Sequence, residues 1–426
     1  MEKKNQTVCV IGLGYVGLPM AVRSVEVGYK VYGLDNVKKK VDLINSGKSP
    51  IEEKYLIDNL SRFKPKATTN EKILKQADII LICVPTPVDE KFFPDYTPVI
   101  TASEIAARNL KKGALVILES TVNPGVSEEI IAPIFKKAGC KIGKDVFIAH
   151  CPERVNPGDI KWTVANLPRV VGSFDKNGLD MAYDYYTSIT TGEVRKMKSI
   201  RAAEAVKIVE NSFRDINIAF VNELAKSFDK FGIDVKDVIE GASNKPFAFM
   251  PHWPSCGVGG HCIPVDPYYL IERAKENGFD HKFLRTAREI NNSMPAYTVE
   301  LLQDSLNEIK MPMKGTTVGI LGIAYKANVD DIRESPSKKI IELAKNYGAN
   351  VLTYDPHILE KSTEKKLESI LKKSQAIILV TDHDEFKSIE PKTWKKYGIK
   401  VVIDGKNCLD KDAIRRSGVI YKGIGR

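Results

Sequence analysis

The residues best placed for covalent chemistry lie in one short stretch, Gly257–Asp266, which reads Gly-Val-Gly-Gly-His-Cys-Ile-Pro-Val-Asp. Its first four positions hold three glycines, which allow backbone conformations with positive φ and would let a ligand approach closely. Cys262 follows the glycines, and the carboxylate of Asp266 stands four residues further on. A thiol on such a loop is poorly placed for core packing and well placed to attack a substrate, so Cys262 is a candidate nucleophile.

Length and composition indicate a globular chain of two or three domains. The 426 residues are 43% hydrophobic and 28% charged, and no apolar run approaches the ~20 residues that a membrane span needs. The polar segment Met1–Thr7 leads directly into a predicted strand, so we expect no signal peptide, no membrane partner and a cytoplasmic protein. The net charge is +10, but the lysines are spread along the chain and not clustered with aromatic residues, which argues against nucleic-acid binding.

The cysteines predict neither a disulfide framework nor a metal site. There are seven of them, an odd number, and no pair has Cys-x-x-Cys spacing. We expect most of them to be small buried apolar residues, and we expect no bound metal.

The N-terminal segment has the full context of a dinucleotide-binding site. An apolar run of the buried parallel-strand kind is followed by Gly12, Gly14 and Gly17 in the pattern Gly-x-Gly-x-x-Gly. A helical stretch and a second strand come next, and that strand ends in Asp35. The helix N-terminus would hold the pyrophosphate, and Asp35 would bind the adenosine ribose hydroxyls, which favours NAD over NADP. A tight turn without a ligand is the alternative.

Polar residues stand just beyond the ends of the next predicted strands. Because the carboxyl ends of parallel strands share one edge, where such sheets bind ligands, these residues would face one crevice. They are Thr86 after the strand at 78–84, Thr121 after the strand at 114–119, and Glu153 after the strand at 147–149. Each residue alone could instead be a cap or turn residue.

One predicted helix, residues 200–231, dominates the middle of the chain. Its apolar residues recur at spacings of three and four, and it would be roughly 45 Å long at about 1.5 Å per residue. A helix of that length would bridge two domains and offer a face to another subunit, so we expect a homodimer or a higher homo-oligomer. Lys207, Asn211 and Arg214 share one stripe of this helix, which could also be a solvated polar face.

Residues 316–424 repeat the strand and helix pattern of the N-terminal segment. The glycine fingerprint is missing, because Gly322 is followed by Ile-Ala-Tyr, so this second Rossmann-like domain is not expected to bind NAD. Lys326 and Arg333 follow its first strand, where a nucleotide could lie, although the loop could also be a charged surface loop. The predicted fold class is α/β, with two Rossmann-like doubly wound domains joined by a long central helix and a small helical domain.

Seven motifs, in order along essentially the whole chain, resemble those of the UDP-glucose/GDP-mannose dehydrogenase family, the nucleotide-sugar 6-dehydrogenases. They are Gly12-Leu13-Gly14-Tyr15-Val16-Gly17-Leu18-Pro19, Pro85-Thr86-Pro87, Glu119-Ser120-Thr121, Cys151-Pro152-Glu153-Arg154, Lys207 with Asn211, Gly259-Gly260-His261-Cys262 with Asp266, and Arg333-Glu334-Ser335-Pro336. The resemblance implies an N-terminal NAD-binding domain (1–198), a central helical domain with the cysteine loop and the dimer interface (199–305), and a C-terminal UDP-sugar-binding domain (306–426).

The resemblance also implies a reaction in which a sugar C6 alcohol becomes an aldehyde and then a carboxylate, with two NAD⁺ consumed. Cys262 would attack the aldehyde to form a thiohemiacetal, whose oxidation leaves a thioester that water hydrolyses. Lys207 and Asn211 would stabilise the oxyanions, and Asp266 would transfer protons. The family uses the positions of Glu153 and Thr121 to order a catalytic water near the nicotinamide, which would give those two residues that role.

Binding roles follow from the same matching of motifs. The residues expected to contact NAD are Gly12, Gly14, Val16, Gly17, Asp35, Pro85, Thr86, Ser120, Thr121, Glu153 and, through a phosphate, Arg333. The residues expected to contact the UDP-sugar are Glu153, Arg154, Lys207, Asn211, Arg214, Gly259 and Lys326.

One departure from the family pattern bears on the sugar. UDP-glucose enzymes usually have an Arg-Ile-Gly turn before the cysteine, and this chain has Ser243–Phe247 in that region. The segments Asn211–Asn217 and Cys262–Pro267 look more like the N-acetylhexosamine branch, which makes products for polysaccharide biosynthesis. We expect UDP-N-acetylglucosamine or UDP-N-acetylmannosamine, the first slightly ahead because of Lys245-Pro246-Phe247.

Three alternatives to this function stay open. The nearest is a UDP-glucose 6-dehydrogenase. A β-hydroxyacid dehydrogenase would share the N-terminal domain but would leave Cys262 and the second α/β domain unexplained. A non-catalytic NAD-binding module is the third.

Overall fold

The computed structural model describes residues 5–51, 53–89, 93–155 and 161–426. The chain divides into two compact units. The first unit comprises Met1–Glu210 and Tyr268–Asn277, and the second comprises Asn211–Pro267 and Gly278–Arg426. The three-domain division expected from the resemblance stays a prediction.

The first unit contains an eight-stranded sheet in the order β3-β2-β1-β4-β5-β6-β7-β8. Its inner strands are short apolar runs buried on both faces, as parallel strands covered by helices must be. All neighbouring strands are parallel except β6 and β7, which are antiparallel. The strands are β1 (Thr7–Ile11), β2 (Lys30–Leu34), β3 (Lys66–Thr68), β4 (Ile79–Ile82), β5 (Ala114–Leu118), β6 (Val146–His150), β7 (Arg169–Ser173) and β8 (Val194–Lys196).

The second unit contains a five-stranded parallel sheet in the order β10-β9-β11-β12-β13. It forms where residues 316–424 were expected to repeat the first domain, so the predicted pair of Rossmann-like domains is confirmed. The strands are β9 (Thr317–Leu321), β10 (Asn350–Tyr354), β11 (Ala376–Leu379), β12 (Val401–Asp404) and β13 (Ile420–Gly423).

Helices pack on these sheets or extend from them. Several begin with a side-chain cap, as when Asp175 accepts a hydrogen bond from the Gly178 N–H at 2.9 Å. Within the described part of the chain, no helix is both long enough and apolar enough to cross a membrane. The α-helices are α1 (Gly17–Glu26), α2 (Lys38–Asn45), α3 (Lys54–Asn59), α4 (Thr97–Asn109), α5 (Ala132–Lys137), α6 (Lys176–Ile189), α7 (Ile200–Phe231), α8 (Val235–Ser243), α9 (Asp266–Glu276), α10 (Lys282–Glu308), α11 (Pro336–Asn346), α12 (Leu367–Lys373), α13 (Asp384–Lys387), α14 (Pro391–Lys396) and α15 (Lys411–Arg416); a π-helical turn spans Ser127–Ile131, and 3₁₀ turns span Glu71–Gln76 and Leu359–Lys361.

The long helix α7 has the predicted bounds, but its large apolar side chains divide between buried and exposed positions. Val209, Phe213 and Phe220 are 55%, 46% and 52% exposed, whereas Ile200, Ile208 and Val221 are buried. Its other buried positions are small or polar: Ala203, Glu204, Asn211, Ser212, Asp215, Ala219, Asn222 and Ala225. Polar groups at buried positions need partners, and the structure supplies them from other elements.

Within the second unit, a buried ion pair joins α7 to α10. The Arg288 guanidinium donates to the Asp215 carboxylate at 2.5 Å, and Asn291 donates to the same carboxylate at 2.8 Å. Both charged side chains are almost fully buried. Burial raises the pKa of Asp215, and the neighbouring Arg288 opposes that rise.

Replacing Asp215 with alanine should therefore destabilise the second unit by about 3–5 kcal/mol, because it strands a buried guanidinium without its carboxylate. Asp280→Ala is the matched control, since its pair with Arg285 is about half exposed and should contribute about 0–1 kcal/mol. Chemical denaturation would measure both. Equal losses of unfolding free energy in the two variants would contradict the stabilising role of the buried pair Arg288–Asp215.

Candidate active site

The glycine fingerprint occupies the turn between β1 and α1, and its three glycines meet different surroundings. Gly12 has φ +89°, and a Cβ there would lie 2.7 Å from the Cys83 carbonyl oxygen. A Cβ on Gly17 would lie 1.9 Å from the Gly12 carbonyl oxygen. A Cβ on Gly14 would meet nothing within 4 Å. The turn and the strand–helix packing thus require Gly12 and Gly17, whereas Gly14 leaves an open face where a pyrophosphate fits.

The N–H groups that would bind this pyrophosphate are at the start of α1, just after Val16. Asp35, at the end of β2, accepts hydrogen bonds from the Leu13 N–H at 2.9 Å and from Lys40 at 3.0 Å. Burial alone would raise the pKa of Asp35, but hydrogen bonds from Val37, Leu13 and Lys40 lower it overall. Asp35 is thus an ionised acceptor beside the glycine turn, as a ribose-binding carboxylate must be.

The loops after β4 and β5 are joined by hydrogen bonds near the same edge of the sheet. The Ser120 hydroxyl donates to the Val84 carbonyl at 2.7 Å, so this predicted cofactor contact has a structural role as well. The Tyr269 hydroxyl, from α9, donates to the Thr86 carbonyl at 2.8 Å. Thr121 is half-buried and Pro85 is exposed.

Glu153 follows β6 and is only 7% exposed. Its carboxylate accepts hydrogen bonds from the Arg154 N–H at 2.6 Å, from the Val155 N–H, and from the Arg169 guanidinium at 3.2 Å. Burial alone would raise the pKa of Glu153, but Arg169, the Val155 N–H and the charge of Lys207 lower it overall. Glu153 is therefore held as a carboxylate, with Lys207 among the charges that act on it.

Arg154, expected to bind substrate, is already paired within the first unit. Its guanidinium contacts the Glu210 carboxylate at 2.5 and 3.2 Å and the Pro168 carbonyl at 3.0 Å. These contacts orient the side chain, and its role towards a substrate stays a prediction. Arg214, on α7, is exposed, and its role likewise stays a prediction.

In the second unit, the candidate nucleophile stands immediately before helix α9. The Cys262 carbonyl accepts hydrogen bonds from the Val265 N–H at 3.0 Å and the Asp266 N–H at 2.8 Å, which start the helix. The Asn211 amide donates to the Asp266 carboxylate at 2.5 Å, and both side chains are buried. Cys262 is only partly buried, whereas the nearby Cys256 is fully buried. The structure thus places a partly exposed cysteine one turn before Asp266 and pairs the Asp266 carboxylate with the Asn211 amide.

The glycines before Cys262 pack closely against the segment 325–336. A Cβ on Gly259 would lie 2.6 Å from Cβ of Tyr325, and a Cβ on Gly257 would lie 2.8 Å from Cβ of Pro336. Gly260 has φ +89° and faces the Tyr325 ring. This close packing, rather than space for a ligand, is what requires glycine here. A contact between Gly259 and the sugar stays a prediction.

Arg333 lies in that same segment and is paired with Asp331 at 2.6 Å. The hydrogen bond from Arg333 to Asp331 is the main cause of its raised pKa, and the charges of Tyr325 and Cys262 contribute. Arg333 therefore belongs to the electrostatic surroundings of the thiol. Lys326 is half-buried on the same segment. The contact of Arg333 with an NAD phosphate and that of Lys326 with the UDP-sugar stay predictions.

Several site residues have partners that no sequence motif marks. Arg169 has no motif of its own, although a charge at the head of an apolar run, Arg-Val-Val-Gly, was a signal. Glu204, on α7, accepts hydrogen bonds from the Gly125 and Ser127 N–H groups at 2.6 and 2.8 Å. It therefore fixes the loop after Thr121.

Comparison with known proteins identifies the family. The NAD binding domain of the UDP-glucose/GDP-mannose dehydrogenase family matches residues 6–190, its central domain matches residues 201–293, and its UDP binding domain matches residues 319–411. The chain belongs to this family. NAD as cofactor and an NAD-dependent nucleotide-sugar dehydrogenase activity, both predicted from the motifs, are confirmed. The UDP binding domain accounts for the second α/β fold, which a β-hydroxyacid dehydrogenase left unexplained.

Several relatives resemble the chain over nearly its full length. The UDP-N-acetyl-D-mannosamine dehydrogenase of Pyrococcus horikoshii is 37% identical over 98% of this chain and 99% of its own. The UDP-N-acetyl-D-glucosamine 6-dehydrogenase of Pseudomonas aeruginosa is 35% identical over 96% and 98%. A solved structure of UDP-D-ManNAc dehydrogenase from Pyrococcus horikoshii superposes with a TM-score of 0.92, at 36% identity over 99% of each chain.

The surroundings of Gly14 and Gly17 predict different effects of substitution, on NAD affinity for the first and on stability for the second. Gly14→Ala should leave the thermal stability unchanged, because its Cβ enters open space, and should weaken NAD binding by about 10-fold or more, because that space is where the pyrophosphate approaches. Gly17→Ala should lower the stability itself by at least about 1–3 kcal/mol through its backbone clash. Calorimetry with NAD and thermal denaturation separate the two effects. Normal NAD affinity in Gly14→Ala would contradict the assignment.

Proposed function

We propose that this enzyme oxidises the C6 hydroxyl of a UDP-N-acetylhexosamine to the uronic acid, in two stages that both take place in one active site. The observation that supports this most directly is the partly exposed Cys262, whose carbonyl starts the helix that carries Asp266, the buried partner of Asn211. A single alcohol oxidation needs no thiol, whereas oxidation past the aldehyde does, because an aldehyde lacks an alkoxide from which a second hydride can leave. The resulting uronic acid would serve polysaccharide biosynthesis.

NAD⁺ bound at the glycine turn would accept one hydride from C6 in each stage. In the first stage, the hydroxyl proton leaves to a base, with Asp266 in the proton-transfer role and Lys207 stabilising the developing alkoxide. In the second stage, the base has released the first proton to solvent and takes the proton of the Cys262 thiol. The sulfur forms a bond to the aldehyde carbon, and the carbonyl oxygen becomes the oxyanion of a thiohemiacetal. Asn211 and Lys207 would stabilise that oxyanion.

Loss of the second hydride leaves a thioester on Cys262. Water adds to the thioester carbon, the carbon–sulfur bond breaks, and the uronate and the thiol are released. Glu153, held as a carboxylate, is suited to order this water and to accept its proton, and Thr121 would hold the same water. The departing thiolate recovers the proton that the water lost, and the product acid ionises. The base releases the protons of the hydroxyl and of the thiol to solvent, so the site returns to its starting state.

The choice of sugar is supported by names of relatives rather than by a contact. Relatives at 35–37% identity over nearly the whole chain are named for the N-acetylmannosamine and the N-acetylglucosamine substrates. The segment 243–247 lacks the Arg-Ile-Gly turn of UDP-glucose enzymes. We therefore propose an N-acetylhexosamine, with the two epimers to be separated by assay and UDP-glucose as the second candidate.

The assembly is proposed to be a homodimer or a higher homo-oligomer through α7. Its exposed Val209, Phe213 and Phe220 lie within about 40° of one another around the helix axis, and an apolar stripe of this kind is typical of an interface between copies.

Sedimentation analysis should show a dimer or larger species. Phe220→Glu should shift the distribution of species towards the monomer. The control is Ile57→Glu, at an exposed residue of α3, which should leave the distribution unchanged. A cytoplasmic location stays a prediction.

The function is tested by counting NADH per sugar with UDP-N-acetylglucosamine, UDP-N-acetylmannosamine, UDP-N-acetylgalactosamine and UDP-glucose. One of the first two should yield two NADH per sugar. Cys262→Ala should lower the rate of complete oxidation by about 10³-fold or more, while Cys140→Ala, a partly buried thiol of the first unit, should match the wild type. Two NADH per sugar at the wild-type rate from Cys262→Ala would exclude the covalent route.

A further inference from the structure

A buried cluster in the first unit contains a carboxyl group that the proposed mechanism does not use. One guanidinium nitrogen of Arg169, at the start of β7, lies 3.2 Å from the Glu153 carboxyl group and 3.5 Å from the Glu119 carboxyl group. Glu119 follows β5 directly. The side chains of Arg169 and Glu119 are fully buried, and that of Glu153 is 9% exposed.

The two carboxyl groups differ in the hydrogen bonds they receive. Both oxygens of Glu153 accept bonds, from two backbone N–H groups and from Arg169. Oε1 of Glu119 accepts a bond from the Tyr186 hydroxyl at 2.5 Å. Oε2 of Glu119 receives no hydrogen bond from any donor in the described part of the chain. A buried carboxylate oxygen without a donor is costly, whereas a protonated one becomes a donor itself.

The charges of the cluster also favour a proton on Glu119. One cation and two carboxylates would leave a net negative charge in a fully buried place, and one retained proton makes the cluster neutral. The pKa of Glu119 is raised to about 8: burial is the largest cause, the neighbouring Glu153 adds to the rise, and Arg169 opposes it. The proximity of the two carboxyl groups raises the pKa of Glu119 and lowers that of Glu153.

The titratable groups around this pair come from several elements. Those that face Glu119 besides Arg169 and Glu153 are Cys83 after β4, Cys151 after β6, and Tyr185 and Tyr186 on α6. The pKa values of these thiols and phenols are all raised by burial, so they are neutral near pH 7. Lys207, on α7, acts on Glu153.

We propose that Glu119 is a positioning residue: it keeps one proton and donates it in a hydrogen bond to Glu153, so that Glu153 stays ionised and oriented for the water it orders. The role in ordering water rests on the proposed function; the shared proton does not. When Glu119 ionises, Glu153 loses this donor and the two carboxylates compete for Arg169. The orientation of Glu153 should then be lost.

Glu119→Gln tests the shared proton without any substrate. Glutamine keeps the shape and the donor of a neutral carboxylic acid. Since the folded pKa of Glu119 lies above its unfolded value, its contribution to stability is present at low pH and is lost as the pH rises towards about 8. The unfolding equilibrium constant of the wild type should therefore rise relative to that of Glu119→Gln by about tenfold per pH unit between about pH 5 and pH 8.

An exposed carboxylate provides the control for this measurement. Glu342→Gln, on an exposed carboxylate of α11, should follow the wild type at every pH. If the difference between Glu119→Gln and the wild type were flat across this range, or if the variant did not fold, Glu119 would be ionised in the native protein. Either result would overturn the proposal.

The positioning role is tested by the pH profile of kcat. Glu119→Ala should lower kcat at pH 7 by about 10- to 100-fold through misplacement of Glu153, and Glu119→Gln should recover most of that loss. The ratio of kcat for Glu119→Gln to that of the wild type should rise as the pH passes about 8. A ratio independent of pH would overturn the positioning role. An enzyme that oxidised no UDP-sugar would overturn the proposed function, while the stability measurement would still decide the shared proton.

Discussion

The carboxyl edge of the first sheet depends on one buried guanidinium, that of Arg169. The loops after β5 and β6 carry Glu119 and Glu153, whose carboxyl groups could not both be buried without a cation between them. That cation comes from β7, the strand that runs antiparallel to β6. The antiparallel strand therefore has an electrostatic function, because it begins with the charge that holds the ends of its parallel neighbours in place.

The second unit meets a different constraint, that of close approach. The loop that carries Cys262 packs so tightly on the segment 325–336 that side chains larger than hydrogen would clash at Gly257 and Gly259. The loop then starts α9 through the Cys262 carbonyl, and Asn211 holds Asp266 from α7. Backbone packing thus sets the position of the thiol, and polar contacts set the position of its neighbouring carboxylate.

Patterns of short range predicted much of this architecture. The turn glycines, the apolar strand runs and the α7 periodicity are local, and the structure has α7 at its predicted bounds. Pairings between distant residues carry no local signal: Arg169 is far in sequence from both of its carboxyl partners, and Arg288 is far from Asp215. The α7 pattern also could not show that the apolar Phe213 lies outside while the polar Asp215 and Asn222 lie inside, because periodicity gives a face but not what covers it.

In the proposed mechanism, Cys262 carries the sugar between the two oxidations. Turnover with NAD⁺ and the preferred UDP-sugar, stopped by acid and followed by peptide mass mapping, tests it directly, because a thioester survives acid. The proposed mechanism predicts that the peptide containing Cys262 gains the mass of the uronyl nucleotide. The peptides that contain the other six cysteines should be unmodified. Two NADH per sugar with no adduct on Cys262 at any quench time, or with the adduct on another cysteine, would contradict it.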